Sequence, residues 1–184
     1  MRKNPLEVMR TFLLLDTRYQ EKAYVPSSQG LKGTGALVGR FVSFYWEFLT
    51  KVSVCFVATD ANKKVYGTIS VTIDRGSLPI DAIFSNEVSR TREEGKKIVY
   101  VGKFASSRDV TCGRTALYMM LEVKKIFLDL QADSCLCVIH PKHLKHYLRF
   151  GFKEIAREIC MPGLNNAEAV LIVLTRDDIP QMRF

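Results

Sequence analysis

A chain of 184 residues, 47% of them hydrophobic, is the size of one ordinary domain and can bury a sizeable core. Its net charge of +8 admits anionic partners, yet it has no zinc-finger spacing, no RNP-like aromatic motif and no long Lys/Arg block, so no nucleic-acid partner is expected. No apolar run approaches the roughly 18 residues that span a bilayer, and the basic start is followed by neither an apolar stretch nor a cleavage site, so neither a membrane span nor a signal peptide is expected and a cytoplasmic location follows.

In chain order, Leu6, Met9, Phe12 and Leu13 recur at near-helical spacing and predict an opening helix. Residues 26–35 read as a loop. Phe41, Phe44, Tyr45 and Phe48 then follow at i, i+3, i+4, i+7 and predict a helix. Residues 52–58 and 65–73 are β-rich around a turn-forming Asp-Ala-Asn-Lys-Lys, which predicts a hairpin. A helix is expected over 79–94, with Pro79 in its first turn, Ile80, Ile83, Phe84 and Val88 on its apolar face, and Gly95 as its stop. Ile98–Ala105 reads as a strand. Residues 114–130 form the clearest helix, with Leu117, Met120, Leu121 and Phe127 on one side. Ser134–Ile139 is a short buried strand and Pro141–Phe150 a short helix ended by Gly151, its apolar face formed by Leu144, Tyr147 and Leu148. The last strands are expected over 152–156 and 169–174.

A hairpin followed by alternating helices and strands implies one α/β domain over 1–184, with a mixed, splayed sheet and helices on both faces. The crossover helix is long enough to require that Ile98–Ala105 and Ser134–Ile139 pair in parallel. Five cysteines, with no Cys-x-x-Cys pair, read as reduced thiols. Cys135 and Cys137, two apart in a strand, read as small buried hydrophobes on one face, and no metal site is expected.

The stretch from Cys135 to Phe152 resembles the closing strand–helix–strand of the N-acetyltransferase (GNAT) superfamily. There a Tyr stands one helical turn before a Gly-Phe pair, matched here by Tyr147 and Gly151-Phe152, and an Asn stands seven residues before the Tyr, where this chain has His140. The resemblance implies that Tyr147 protonates a departing thiolate, a task suited to a phenol that is neutral at physiological pH. Residues 52–175 more closely resemble the long-chain N-acyl amino acid synthases, relatives of the acyl-homoserine lactone synthases. The matching segments are the Gly67-Thr68 strand over 65–74, Leu78-Pro-Ile-Asp81, Val101-Gly-Lys-Phe-Ala105, His140-Pro-Lys-His143 with Tyr147, and Asn165-Asn-Ala-Glu-Ala-Val170. Thr17-Arg-Tyr-Gln20 resembles the family's N-terminal Leu-Arg-Tyr.

This resemblance implies transfer of a fatty acyl group from a carrier-protein thioester to the α-amine of an amino acid, with no cofactor beyond the acyl-pantetheine co-substrate. Members that use acetyl-CoA carry a Gly-rich pyrophosphate loop; here Arg108-Asp-Val-Thr-Cys-Gly-Arg-Thr-Ala116 has only Gly113, which favours pantetheine on a carrier protein over CoA. Arg108, Gly113 and Arg114 remain candidates for holding one phosphate. Lys142, Lys145 and Arg149 at i, i+3, i+7, with Lys153 and Arg157 beyond, form a basic stripe suited to an acidic acyl carrier protein. Phe41, Phe44 and Phe104 are candidates for an acyl pocket, and the backbone amides of Phe104, Ala105 or Ser106 for the oxyanion. Where the family tends to have a Glu before Val101, this chain has Tyr100. Tyr100 occupies the catalytic position but is a poor base at neutral pH, and Lys103, His143 and Glu122 are the candidates for the base. Two alternatives stand beside this reading: a CoA-dependent N-acyltransferase of a small amine, and a non-catalytic acyl or carrier-protein binding module.

Overall fold

The computed structural model describes residues 5–21, 53–62, 64–107, 112–161 and 167–181. Its elements are helix α1 (Pro5–Glu21), strands β1 (Ser53–Thr59) and β2 (Val65–Ile73), helix α2 (Ser85–Glu93), strand β3 (Ile98–Ser106) and helix α3 (Cys112–Asp129). Strand β4 (Ser134–Ile139) follows, then a 3₁₀ turn (Pro141–His143) entering helix α4 (Leu144–Arg149), strands β5 (Lys153–Met161) and β6 (Ala167–Thr175), and a closing 3₁₀ segment (Arg176–Gln181). The expected order of helices and strands is met, apart from the aromatic segment 41–48 and loop 26–35, which lie outside the described residues. The six strands form one mixed sheet in the order β1-β2-β3-β4-β6-β5. The expected parallel pair is present: Ile98–Val101 register with Ser134–Cys137. That ladder covers only the first four residues of β3, while β4 goes on to pair antiparallel with β6 along its whole length.

Contacts group the described residues into two compact units: those up to Ser70 together with Lys103–Met119, and Val71–Gly102 together with the residues from Met120 onward. In the first, α1 buries Val8, Phe12 and Leu15 against Ala105, with Tyr19 partly buried. Thr11 and Asp16 are buried on the same face, and the Asp16 carboxylate accepts a hydrogen bond from Gln20 Nε2. Of the residues whose spacing predicted the helix, Phe12 is buried while Met9 and Leu13 are each 45% exposed. Phe12-Leu13-Leu14-Leu15 carries apolar side chains most of the way round the helix, so periodicity admits two stripes and packing chooses one. Leu13 and Leu14 instead line an open groove with Arg10, Thr17 and the hairpin residues Asn62, Lys64 and Val65. The hairpin turn closes through Asp60, whose N–H donates to Lys64 O and whose Oδ1 accepts the Lys64 N–H. Gly67 is required by close approach, since a Cβ there would lie 2.7 Å from both Met119 Sδ and Thr115 Cγ2.

In the second unit one sheet face buries Ile98 (β3), Leu136 (β4), and Ala169 and Leu171 (β6) under Leu78, Ile80, Phe84 and Val88. Burying side chains of this size contributes about 1.5–3 kcal/mol each. The alternate residues Val99, Val101, Cys135, Cys137, Val170, Ile172 and Leu174 are buried too, so these strands are covered on both faces. The helix expected from Pro79 starts only at Ser85. Residues 79–84 are turns in which Asp81 Oδ2 accepts the Leu78 N–H at 2.8 Å. Arg92 locks that turn down: it donates to Asp74 at 2.6 and 3.0 Å and to Asp81 at 2.9 Å. The apolar spacing survived because Ile80 and Phe84 reach the core from the turn. Gly95, at φ +70°, ends the helix as expected. On α3, Met119, Met120, Val123 and Phe127 are buried, whereas Leu121, assigned to that face from sequence, is exposed.

Candidate active site

Strand β4 ends at Ile139, and the next residue sets up the segment that carries Tyr147. His140 Nδ1 accepts the Lys142 N–H at 3.2 Å, and His140 O accepts the His143 N–H at 2.9 Å. A side-chain acceptor two residues before a free N–H is what an Asn offers at a helix start. His140 therefore caps this turn with its own side chain. Pro141 follows, where its missing N–H costs nothing.

Helix α4 has no buried residue. The apolar face expected from Leu144, Tyr147 and Leu148 is not a core face; Leu144 and Tyr147 are half-buried and Leu148 is 47% exposed. Tyr147 packs on the residue that follows the turn. Its ring meets the edge of Phe152 with centroids 5.5 Å apart and planes at 83°. Its carbonyl accepts the N–H groups of Phe150 and Phe152 at 2.9 and 3.2 Å. Gly151 makes this return possible at φ +85°, a conformation costly for any residue with a Cβ. Phe152 is buried. The Tyr…Gly-Phe pattern is thus one local device: a half-buried tyrosine with its ring steadied by a buried aromatic.

Tyr100 is half-buried on β3, paired in register with Leu136 and packed against the core under α2. Its ring lies over Gly102: a Cβ on Gly102 would sit 2.8 Å from Cε1 and 3.0 Å from the hydroxyl oxygen. His143 is exposed in the 3₁₀ turn, its ring 6.4 Å from that of His140. Glu122 is exposed on α3.

In the other unit, Lys103 has φ +51°, the left-handed region within a strand. This bend costs an ordinary residue on the order of 1–2 kcal/mol and interrupts the regular pleat of β3. Lys103 lies near Cys55, whose thiol hydrogen-bonds the Thr68 hydroxyl at 3.3 Å. Burial pushes the Cys55 thiol up despite the pull of Thr68 and Lys103. Phe104 is half-buried, and the Ala105 side chain is taken up by packing on α1. Gly113 and Arg114 fall in the first turn of α3. Arg108, Phe41 and Phe44 lie outside the described residues.

The basic stripe is partly neutralised. Lys142, Lys145 and Arg149 are exposed. Lys153 is paired with Asp178 at 2.7 Å, and Arg157 with Glu154 at 3.0 Å. Asp178 was missed from sequence although Thr175-Arg-Asp-Asp178 is a capping pattern, and its Oδ2 accepts from the Thr175 N–H at 3.3 Å and the Thr175 hydroxyl at 2.5 Å. Cys135 and Cys137 are fully packed; desolvation pushes Cys137 up to about 12 and Cys135 well above its ordinary value. No grouping of His, Cys, Asp and Glu that would hold a metal ion occurs among the described residues. Among them no helix is long and apolar enough to cross a membrane.

Residues 10–175 match the family described as FeeM, N-acyl amino acid synthase FeeM. Among solved structures, that of FeeM, an N-acyl amino acid synthase from uncultured soil microbes, is 25% identical with a TM-score of 0.78, over 99% of this chain and 98% of that one. A putative phosphinothricin N-acetyltransferase is 15% identical with a TM-score of 0.60, over 94% of each chain. FdhC, a nucleotide-linked sugar GNAT, is 12% identical with a TM-score of 0.57, over 95% of this chain and 85% of that one. The last two similarities bear on the fold alone, and it is the GNAT fold expected from the sequence. No curated protein matches the chain.

Proposed function

The chain belongs to the N-acyl amino acid synthase family and is an acyltransferase, and from that premise we propose that it moves a long-chain acyl group from the thioester of an acyl carrier protein to the α-amine of an amino acid. The observation that carries the chemical part is the station of Tyr147: half-buried, on the helix after β4, with its ring held against Phe152. The amine attacks the thioester carbonyl, a C–N bond forms, and the tetrahedral intermediate collapses with loss of the C–S bond. The phenol of Tyr147 gives its proton to the departing sulfur, the proton lost by the amine passes to a base or to solvent, and Tyr147 regains a proton from solvent. No cofactor takes part; the pantetheine arm belongs to the co-substrate.

Support for a carrier protein as donor comes from charge. Lys142, Lys145 and Arg149 are exposed on and beside the helix that carries Tyr147, and Leu148 adds an exposed apolar contact among them. An acidic carrier would dock there with its arm leading toward the acid. Mass spectrometry of organic extracts from cells producing the protein tests the reading. Fatty acyl amino acids are expected, and would name both the acyl chain and the amino acid. Accumulation of acetylated amines instead would point to a CoA-dependent N-acyltransferase, and binding of donor without turnover to a binding module.

A further inference from the structure

Both neighbours of Phe152 meet one residue from the closing segment: Gly151 by close approach and Lys153 by an ion pair. Gly151 closes against the backbone of Asp178: a Cβ at Gly151 would lie 3.2 Å from Asp178 O and 3.5 Å from Leu174 Cδ1. Lys153, on the other side of Phe152, donates to Asp178 Oδ1 at 2.7 Å. Asp178 is itself fixed, because it is buried and its second carboxylate oxygen is taken by the N–H and hydroxyl of Thr175. Phe152 in turn is joined to Tyr147 by the ring edge and by its N–H to the Tyr147 carbonyl.

From this chain of contacts we propose that Asp178 is a positioning residue for Tyr147, and that the closing 3₁₀ segment (Arg176–Gln181) sets the aim of the phenol at the leaving sulfur. The proposal rests on Tyr147 acting as the general acid. Asp178 touches no substrate in this role. It holds residues 151 and 153 so that the ring between them stays under the tyrosine. A misplacement of the phenol by about 1 Å lowers a proton transfer by up to about 10²-fold without touching donor binding.

The test uses the full chain with two small donors, lauroyl-pantetheine and S-phenyl thiolaurate, and a mixture of the twenty amino acids as acceptor. Without a carrier protein, loss of a surface charge does not affect docking. The arylthiolate departs without being protonated, whereas the pantetheine thiolate needs the acid. Asp178→Ala is expected to lower kcat with lauroyl-pantetheine by roughly tenfold to 10²-fold, with KM for that donor within about twofold, and to leave the rate with the phenyl thioester near the parent value. Lys153→Met and Asp178→Asn, milder changes at the same contact, are expected to show the same dependence on leaving group at smaller size, and they carry the test if Asp178→Ala does not fold. Tyr147→Phe is the reference. If it shows the leaving-group dependence and the Asp178 and Lys153 variants lose both donors equally or neither, the positioning role is wrong while the acid stands. If Tyr147→Phe matches the parent with both donors, the acid reading fails and the proposal fails with it.

Discussion

The ring of Tyr100 lies across the α-carbon of Gly102, so close that a methyl group there would stand 2.8 Å from one ring carbon and 3.0 Å from the hydroxyl oxygen. The residue two positions along a strand shares its face, so the glycine is what gives the tyrosine room to lie along β3. Gly102→Ala should therefore expel the ring from its place, costing about 1–3 kcal/mol as other overpacking changes do. In Tyr100→Ala the same alanine should cost far less. Thermal unfolding of the four proteins of this cycle measures the coupling, and additive effects would deny the contact.

Tyr147→Phe keeps the ring against Phe152 and removes only the proton donor. We expect kcat to fall by roughly 10²–10⁴-fold with an alkyl thioester donor and KM to stay put, because the lost interaction strengthens only as charge develops on sulfur. Steady-state kinetics with an acyl carrier protein donor decide it, and an unchanged kcat removes Tyr147 from the chemistry.

Charge reversal of Lys145 and Arg149 to Glu should weaken carrier-protein docking by about one to a few kcal/mol, and parent binding should weaken with added salt. Both side chains are exposed, so folding should be little affected. Titration calorimetry against an acyl carrier protein at two ionic strengths provides the measurement. Equal affinity for parent and variant places the carrier elsewhere.

Asp178 makes stability depend on acid. Burial works against its charge, but hydrogen bonds from Lys153 and Thr175 prevail and hold the carboxyl below its ordinary value. A group whose value is lower in the folded state adds stability that is complete above the unfolded value, about 3.9, and is lost as pH falls through the folded one. The difference in melting temperature between the parent and Asp178→Asn should thus be steady near neutrality and shrink below about pH 4. A difference that stays constant to pH 3 would mean the carboxylate contributes nothing through its charge.

The thiols of Cys135 and Cys137 are protonated and packed, with Cys137 pushed up to about 12 by desolvation. At pH 8 such a group is thiolate in only about one molecule in 10⁴, and the thiolate is the reactive form. Iodoacetamide should leave both unlabelled in the native protein and modify them once urea is added, as peptide mass mapping would show. Rapid native labelling at either position would contradict their burial.

What the sequence determined by itself was local. The short apolar run of Ser134–Ile139, the Pro141 and Gly151 that bracket the short helix, and the crossover length that demands a parallel pair each depend on neighbours in the chain, and each stands in the structure at the expected place. The family likeness was legible too, though part of it is architecture. Gly67 of the Gly-Thr strand makes room for Thr115 and Met119, and Asp81 of the Leu-Pro-Ile-Asp segment ties down a turn with Arg92. Only tertiary structure decided which stripe of α1 is buried, since Phe12-Leu13-Leu14-Leu15 offers two and the partner, Ala105, lies some ninety residues away in sequence. The same holds at the site. His140 caps the turn through a ring nitrogen, Tyr100 depends on a glycine that has no side chain to announce it, and Asp178 reaches Gly151 and Lys153 only after two strands have folded back. Periodicity records what a residue needs from its own helix or strand; it carries no information about which distant atoms will meet that need.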